Sequence, residues 1–351
     1  MRILVLLNEK EKRSHTDVYD SFDYCLKEKL ISDYAVYPFL FKLKELKNER
    51  FVNKDIVDFY EAYKPDAILW MHTTGLKIYN DTISYIKQHN PLIVMGYWEG
   101  DAFHKTIKPI PRHVLELARI CNVLFLQDFS CTKNMFELDG CKDIRYTPAV
   151  TDTRYFKIIK GEKKHFKAVM IGNRIIRRNP FKKRMPGVHL REEIVKIFSQ
   201  QYEDLFAIFG TGWKSKSAKG YIDYSKQSLI YSQSKISVGV NNILGKYYFS
   251  SRLPIAMSSG IPILHSAIEG SDRLFKRCKE LIFFENSTEA MQLSRNLLNK
   301  EQLELDEIGK YLADYANRYF TGRMRFSYIV KVLSEFLPEN EMSKVINPWI
   351  G

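Results

Sequence analysis

The sequence predicts an α/β protein made of two doubly wound parallel sheets, and two observations lead to this prediction. Short, continuously apolar runs alternate with segments of helical periodicity from the first residue onward. Continuous apolar runs are typical of parallel strands covered on both faces, whereas half-exposed strands alternate apolar and polar residues. The alternation is interrupted by the polar, lysine-rich residues 152–167 and then begins again, which indicates two Rossmann-like domains.

In the first domain, apolar runs predict five strands, and helical periodicity predicts helices between them. The strands are expected at residues 2–7, 34–39, 67–71, 92–97 and 123–126. The helices are expected at residues 16–28, 54–63, 81–88 and 112–118. This order predicts a domain of parallel strands at residues 1–155.

The second domain begins with the buried run "AVMIG". Its strands are expected at residues 168–172, 205–209, 236–240, 261–264 and 281–284. Helices are expected at residues 190–199, 223–233 and 250–259, and three more follow the last strand, at residues 288–299, 302–319 and 323–336. We expect this domain to span residues 166–320, and residues 321–351 to pack back on the first domain as a helix and tail.

The composition indicates a basic globular protein with reduced thiols. The chain has 351 residues, and its formal net charge is +13. This charge attracts nucleic acid, an anionic membrane or a phosphorylated small molecule, although a solvated basic surface is the plain alternative. No apolar run approaches the roughly 18 residues of a membrane span. The five scattered cysteines form no CxxC pair, so we expect neither disulfides nor a zinc site, and we expect a cytoplasmic location.

Two acidic residues follow the fourth predicted strand, in the stretch "MGYWEGDAFH". Glu99 and Asp101 flank a glycine there, and the nearby aromatic and imidazole side chains are Trp98, Phe103 and His104. One interpretation is a strand end at which Asp101 caps the next segment. The other is a catalytic carboxylate at the mouth of a cleft, because ligands bind beyond the carboxyl ends of parallel strands.

A basic loop follows "AVMIG" at the Gly172–Asn173 turn. Its six cations are Arg174, Arg177, Arg178, Lys182, Lys183 and Arg184. They form either a solvated loop or a phosphate-facing surface. Arg191 lies in the first turns of the helix that follows, where its planar guanidinium group could hold a phosphate beside the positive helix end.

Two further strand ends carry residues suited to a phosphorylated ligand. Gly210 and Gly212, on either side of Thr211 in "AIFGTGW", allow close approach of the backbone to a ligand, but no third glycine completes a nicotinamide-binding fingerprint. In "VGVNNILGKYYFSSRLPIAMSSGIPILHS", Ser250, Ser251 and Arg252 open a predicted helix. A hydroxyl pair and an arginine there predict a diphosphate site, and an ordinary serine cap with a surface arginine is the alternative.

The stretch "SSRLPIAMSSGIPIL", followed by "LIFFENSTEAMQLSRNLL", resembles the nucleotide-sugar half of GT-B glycosyltransferases. The CgeB-like group and the bacteriophage β-glucosyltransferases, which modify hydroxymethylated DNA bases, are the most similar by pattern. The resemblance implies that Arg252 and Arg191 hold the donor's phosphates and that Gly210 passes near the donor. It also places the nucleobase near Tyr221 and Ile222. Ile255 stands where the family has the Glu that holds the donor ribose.

The resemblance also implies how the reaction runs. Asp101 takes the position of the catalytic Asp, with Glu99 as the other candidate, and we expect Asp101 and Arg252 to face each other across one crevice. A carboxylate that takes the acceptor proton predicts inversion at the sugar carbon. Arginines can stabilise the departing diphosphate, so no metal or other cofactor is required beyond a nucleotide sugar, such as a UDP-sugar, as donor.

Three functions remain open on these residues. The first is transfer onto a hydroxymethylated pyrimidine in duplex phage DNA, with the base flipped out and stacked on Trp98 or Phe103 and with the basic loop on the phosphates. The second is transfer onto a cell-surface glycan, a lipid carrier or a protein. The third is a nucleic-acid-binding protein without catalysis, which the replacement of the family Glu by Ile255 would fit.

Overall fold

The computed structural model describes residues 1–174, 184–338 and 344–351. The described chain contains two six-stranded sheets, and all strand pairs are parallel. Residues 1–147 and 322–351 make up one compact unit, and residues 148–321 make up the other. The predicted fold class is therefore confirmed.

The first unit contains a sheet of strand order β2-β1-β3-β4-β5-β6. Its strands are β1 (Arg2–Leu7), β2 (Asp33–Pro38), β3 (Ala67–Met71), β4 (Val94–Glu99), β5 (Val123–Leu126) and β6 (Ile144–Tyr146). Its helices before the crossing to the second unit are α1 (Thr16–Lys27), α2 (Phe39–Leu46), α3 (Glu49–Tyr63), α4 (Asn80–His89), α5 (Arg112–Ile120) and α6 (Cys131–Leu138). The strand order reverses direction between β1 and β3, so ligands are expected at the carboxyl ends of those two strands.

The second unit repeats this architecture with strand order β12-β11-β10-β7-β8-β9. Its strands are β7 (Phe166–Ile171), β8 (Phe206–Phe209), β9 (Ala218–Gly220), β10 (Ser234–Gly239), β11 (Ile263–Ser266) and β12 (Ile282–Phe284). Its helices are α7 (Val188–Tyr202), α8 (Gln227–Ser232), α9 (Arg252–Ser258), α10 (Ser271–Leu274), α11 (Ser287–Leu298) and α12 (Gln302–Tyr319). Here the reversal, and hence the expected ligand position, lies between β7 and β10.

The last helix, α13 (Gly322–Ser334), belongs to the first unit and packs against α1. The rings of Phe22 and Phe326 lie 5.1 Å apart, and the Arg323 guanidinium contacts the Asp20 carboxylate at 2.8 Å. No helix among residues 1–174, 184–338 and 344–351 is long and apolar enough to cross a membrane.

Burial explains why the apolar runs were continuous. Ile3, Leu4, Val5 and Leu6 of β1 are all inaccessible to solvent, because helices cover both faces of the sheet. Several predicted bounds differ from the structure: β4, predicted at residues 92–97, is Val94–Glu99, and α3, predicted from residue 54, begins at Glu49. The run predicted as a strand to Phe39 ends at Pro38, and α2 begins directly after it, while the helix predicted from residue 250 begins only at Arg252.

Candidate functional site

Arg191 lies at the strand reversal of the second unit and joins the ends of two neighbouring strands. Its side chain leaves the first turn of α7 and is only 4% exposed. One terminal nitrogen donates to the carbonyl oxygen of Asn173 at 3.1 Å, just beyond β7, and the other donates to the carbonyl oxygen of Val240, just beyond β10. The sequence therefore placed Arg191 at the correct sheet edge.

The positive charge of Arg191 has no acidic partner among the ion pairs of the described residues, and its Nε is buried without a hydrogen-bond partner. Burial, together with the nearby positive charge of Arg252, lowers the pKa of Arg191 to about 10. A buried, uncompensated cation is costly, so an anion bound here would be strongly favoured.

A cavity of about 20 Å³, enough for about one water molecule, lies beside β10. Its polar lining consists of Tyr231, Ser237, Ser250, Arg252 and His265. Arg252 is the first residue of α9, and the preceding Ser251 makes no side-chain capping hydrogen bond. The backbone N–H of Ser250 donates to the Asn241 side chain at 3.3 Å. The predicted hydroxyls and arginine thus lie before and at the start of α9, beside the end of β10.

The two glycine turns that the sequence singled out are bound to each other. The Asn173 side-chain oxygen accepts from the N–H of Thr211 at 2.9 Å, and the Trp213 indole N–H donates to the Gly172 carbonyl at 2.7 Å. Gly210 has φ +137°, and a Cβ on it would lie 2.4 Å from that same Gly172 carbonyl oxygen. The close approach that requires Gly210 is therefore to the neighbouring loop.

The residues expected near a nucleobase follow the edge strand β9. Tyr221 is 71% exposed, and Ile222 is partly buried. The carbonyl of Gly220 accepts from the N–H of Gly210 at 2.7 Å, so this segment is attached to the glycine turn at the end of β8. An exposed aromatic ring at this edge is available for stacking on a base.

The basic loop is described only at its ends. Arg174 and Arg184 both bind the carboxylate of Glu192, at 2.8 and 2.9 Å. The pKa of Glu192 is lowered because hydrogen bonds from Arg174 and both positive charges outweigh its partial burial. These two arginines therefore already have an anionic partner. The predicted phosphate contacts Arg177, Arg178, Lys182 and Lys183 lie outside the described residues.

His265, at the carboxyl end of β11, is a site residue that sequence reasoning missed. Its Nδ1 lies 2.8 Å from the carbonyl oxygen of Ser266 and so carries the proton, because that oxygen can only accept. Burial lowers the pKa of His265 to about 4, and Arg191 contributes to the decrease. Its ring lies over Gly239, where a Cβ would come within 2.5 Å. The only signal in the sequence was one histidine ending the apolar run "IPILHS".

Ile255, at the position of the family Glu, is fully buried in α9. Its neighbours Leu253 and Ala256 line the cavity, but Ile255 does not. The side chain that would hold a ribose in the family is therefore replaced here by a core residue.

In the first unit, Glu99 ends β4 and is completely buried. Its Oε2 accepts from the Tyr97 hydroxyl at 3.0 Å, and its Oε1 accepts from the backbone N–H of Asp101 at 2.9 Å. The same Oε1 contacts Nδ1 of His72. Both carboxylate oxygens of Glu99 are thus occupied by neighbouring groups of the protein.

His72 follows β3 and was not identified from the sequence. Its φ of 51° places it in the left-handed region, and its backbone N–H donates to the carbonyl of Trp98 at 2.8 Å. Its side chain is 22% exposed, and Nε2 lies 2.9 Å from the hydroxyl of Thr74. In this conformation, Nδ1 of His72 faces Glu99 and Nε2 faces Thr74.

Asp101 is half-exposed, and the ammonium group of Lys108 contacts its carboxylate at 2.5 Å. The capping interpretation does not hold for Asp101, because the next helix begins only at Arg112. In contrast, Asp128 accepts from the N–H groups of Ser130 and Thr132 at the start of α6.

The predicted stacking residues are largely inaccessible, which corrects the expectation of a base-stacking surface here. Phe103 is 2% exposed, and Trp98 is partly buried with the Arg325 guanidinium 4.7 Å from its ring centroid. His104 forms a backbone bridge with Lys108 and shapes a turn. Aromatic residues at a strand end here fill the core, a choice that sequence spacing does not reveal.

Within the described parts of the chain, no group of three or more His, Cys, Asp and Glu residues could hold a metal ion.

Comparisons with known proteins agree with this architecture. Residues 190–330 match a protein family described as glycosyl transferase-like. A search of curated proteins gave no match. The family match covers most of the second unit, including Arg191, Arg252 and every residue that lines the cavity except Ile171.

Solved structures share the fold at low sequence identity. A glycosyltransferase from Rickettsia africae is 10% identical, with a TM-score of 0.62 over 97% of this chain and 99% of that chain. HepE from Anabaena, in complex with UDP and glucose, is 12% identical, with a TM-score of 0.57 over 95% and 100%. A trehalose-6-phosphate protein from E. coli, bound with UDP-2-fluoro glucose, is 9% identical, with a TM-score of 0.60 over 96% and 99%. The fold is thus that of GT-B glycosyltransferases.

The family match over residues 190–330 agrees with the glycosyltransferase that the sequence predicted, and the solved structures show the shared fold. The more specific resemblance to bacteriophage DNA β-glucosyltransferases stays a prediction.

Proposed function

We propose that this protein transfers a sugar from a nucleoside-diphosphate sugar to an acceptor hydroxyl, and that the donor's diphosphate binds at the strand reversal of the second unit. The observation that carries this proposal is the buried, uncompensated charge of Arg191, with Arg252 close enough to lower its pKa. Neither arginine forms an ion pair with a carboxylate among the described residues, and two such cations are suited to the negative charge of a diphosphate.

Each residue at this edge then has a role. Arg252, partly exposed beside the cavity, contacts the diphosphate, and Ser250 and Ser251 offer hydroxyl donors. Arg191 donates hydrogen bonds to the carbonyl oxygens just beyond β7 and β10, which fixes these strand ends, and it adds positive charge to the site. The bound turns of Gly172–Asn173 and Gly210–Thr211 form a fixed rim, and Tyr221 stacks on the nucleobase with Ile222 beside it. The leaving diphosphate is stabilised by groups already oriented before reaction.

UDP-glucose is the first donor to test. The Anabaena relative holds UDP and glucose, and the E. coli relative holds UDP-2-fluoro glucose. The fully buried Ile255 cannot bind ribose hydroxyls, so the donor's ribose would have to be recognised by other groups at the site.

We propose an inverting reaction because the first unit offers a base for the acceptor hydroxyl. Asp101, after β4, and His72, after β3, are partly exposed groups that can take a proton. A base that deprotonates the acceptor hydroxyl allows direct attack on the sugar carbon from the face opposite the leaving group, and this inverts the configuration.

Duplex DNA with a hydroxymethylated pyrimidine is the acceptor we propose on the net charge of +13, because phosphate contacts supply affinity independent of sequence. The buried Phe103 weakens the stacking part of this proposal. A glycan, a lipid carrier or a protein is the alternative acceptor, and the assay below separates these classes.

The experiment first measures donor binding and then transfer. Calorimetry with UDP and UDP-glucose should show binding that weakens about 10- to 100-fold in Arg252→Ala, since a charged hydrogen bond contributes about 1.5–3 kcal/mol. Arg295→Ala is the matched control, because Arg295 lies on α11 and binds Gln201. Labelled UDP-glucose is then incubated with plain duplex DNA, with hydroxymethylcytosine DNA and with a mixture of glycans and lipids.

Label that enters only the hydroxymethylated DNA supports the DNA acceptor, and the configuration of the linked sugar reports inversion or retention. Label in a glycan or lipid supports the alternative acceptor. If the folded protein binds DNA in a salt-sensitive way but binds no UDP compound, the glycosyltransferase proposal is wrong and a non-catalytic binding protein takes its place.

A further inference from the structure

At the carboxyl end of the first sheet, His72 contacts the buried carboxylate of Glu99. This pair was not predicted from the sequence. We infer that His72, oriented by the carboxylate of Glu99, is the catalytic base that takes the proton from the acceptor hydroxyl. This inference rests on the glycosyltransferase function proposed above.

The position of His72 is the first argument. His72 directly follows β3, and the Asn8 side chain, directly after β1, donates to the His72 carbonyl at 3.0 Å. These are the two strands between which the order of the first sheet reverses. Ligands of doubly wound sheets bind in the crevice at such a reversal, so His72 stands where this unit is expected to receive its substrate.

The hydrogen bonds fix which ring nitrogen is basic. The buried Glu99 carboxylate accepts from the Tyr97 hydroxyl and from the backbone N–H of Asp101, so both of its oxygens act as acceptors. The oxygen that contacts His72 is one of these acceptors, and Nδ1 of His72 therefore carries the proton that faces Glu99. Nε2 keeps its lone pair and lies 2.9 Å from the Thr74 hydroxyl, which can donate to it. An acceptor hydroxyl can take the place of that donor.

The charges around His72 make it a stronger base than a free imidazole. Burial opposes its protonation, but the hydrogen bond and charge of Glu99, together with the charge of Asp101, outweigh burial and the opposing charge of Lys108, so the pKa of His72 is raised. His113, on α5, faces this loop, and its Nε2 lies 3.3 Å from the carbonyl oxygen of Thr73. A base of this kind suits proton transfer near neutral pH.

Asp101 is better placed to assist than to react. Its carboxylate contacts Lys108, and it contributes negative charge beside His72. Glu99, in turn, is completely buried and reaches substrate only through the imidazole. Glu99 is therefore a positioning residue, and His72 is the group of this cluster that touches substrate.

The proposed step balances as follows. The acceptor oxygen forms its bond to the anomeric carbon while the bond from that carbon to the diphosphate oxygen breaks, and the nucleoside diphosphate leaves with the electron pair. The acceptor proton passes to Nε2 of His72, and Glu99 stabilises the imidazolium that results. No oxidant, reductant or further reactant takes part.

The kinetic test compares His72→Gln, Glu99→Gln and Asp101→Asn in the full chain with UDP-glucose. His72→Gln should lower kcat about 10²- to 10⁴-fold, the usual contribution of a general base, while the Kd for UDP stays within about twofold. In the wild type, kcat/KM should rise with pH through the raised pKa of His72. Glu99→Gln should move this rise to lower pH and lower the plateau, a shift that a purely structural role would not produce. Asp101→Asn should stay within about tenfold of the wild type.

Two outcomes overturn the inference while leaving the proposed function intact. One is a His72→Gln variant that turns over within about threefold of the wild type. The other is loss of turnover in Asp101→Asn with an unchanged pH profile in Glu99→Gln. Failure of the wild type to bind UDP or UDP-glucose is a different result and overturns the proposed function.

A second measurement does not require turnover. Nuclear magnetic resonance of the full chain with ¹⁵N-labelled histidine, with the His72 signal assigned by its loss in His72→Gln, should show the Nδ1–H form and a pKa above that of a free imidazole. Glu99→Gln should lower this pKa and leave the signal of His189, which is exposed on α7, unchanged. A His72 that titrates as a free imidazole in both proteins overturns the inference.

Discussion

The guanidinium group of Arg191 donates to the carbonyl oxygen of Val240, so that a residue of α7 ties down the end of β10. Its other terminal nitrogen donates to the Asn173 carbonyl beyond β7. One side chain thus spans the strand reversal of the second sheet and carries a buried charge there. Its structural and binding contributions can be separated by mutation.

Replacement of Arg191 by Met should lower the free energy of unfolding by about 1–3 kcal/mol and abolish stabilisation by UDP. Two carbonyl groups lose their donor, which costs about 1–3 kcal/mol each, while removal of an uncompensated buried charge offsets part of this loss. Urea denaturation with and without UDP measures both effects. A variant that UDP stabilises as much as the wild type would show that Arg191 does not act on the donor.

His265 gives the protein a predicted sensitivity to mild acid. Its folded-state pKa is about 4 because burial disfavours the charged form, whereas an unfolded histidine titrates near 6.5. Between these values the unfolded chain binds the proton and the folded chain does not, so stability is lost as the pH falls from about 6.5 to 4. The loss attributable to His265 should reach about 2–3 kcal/mol at pH 4.5.

His265→Gln should flatten this pH dependence, measured by urea denaturation at pH 7 and pH 4.5. The matched control is His189→Gln, because His189 is exposed and should leave the pH dependence as it is in the wild type. Equal acid sensitivity in the wild type and in His265→Gln would contradict the prediction.

Most strands could be predicted from the sequence, because a strand that is buried on both faces of its sheet is a continuous run of apolar residues. The predicted bounds of β1, β3 and β5 agree with the structure to the residue. Short elements without such a signal were not predicted, namely α2, α10, β6 and β9. Phe39 was predicted as the last residue of the preceding strand, but in the structure it is the first residue of α2.

The candidate site was predictable in place but not in detail. Local sequence placed Glu99 after a strand and Arg191 in the first turns of a helix, yet it could not show that both side chains are buried. His72 and Glu99 are 27 residues apart, and the histidine by itself resembles an ordinary core residue. Such a pair becomes visible only when the sheet brings the ends of β3 and β4 side by side.

Asp128→Ala should destabilise the first unit by about 1–2 kcal/mol. The fully buried Asp128 carboxylate accepts from the N–H of Ser130 at 3.1 Å and from the N–H of Thr132 at 2.9 Å, and loss of a capping side chain costs about that much. Thermal unfolding measures the effect, with Asp128→Asn as a control that keeps one acceptor oxygen and should lose less. Equal losses in both variants would show that the charge, rather than the cap, is what matters.

Gly210→Ala should be strongly destabilising and should also weaken UDP binding, because two constraints coincide at this residue. Its φ of +137° is one that L side chains rarely adopt, and an added Cβ would lie 2.4 Å from the backbone oxygen of Gly172, which cannot rotate away. The turns at the ends of β7 and β8 must therefore separate, and the hydrogen bond from Thr211 to Asn173 is lost with them.

Gly172→Ala is the matched control, since the nearest atom to its added Cβ is an Arg191 nitrogen at an ordinary 3.5 Å. We expect a loss of about 1–3 kcal/mol in urea denaturation for Gly210→Ala and less than about 1 kcal/mol for Gly172→Ala. If both variants are equally stable and bind UDP equally well, the contact between the two turns does not constrain the site.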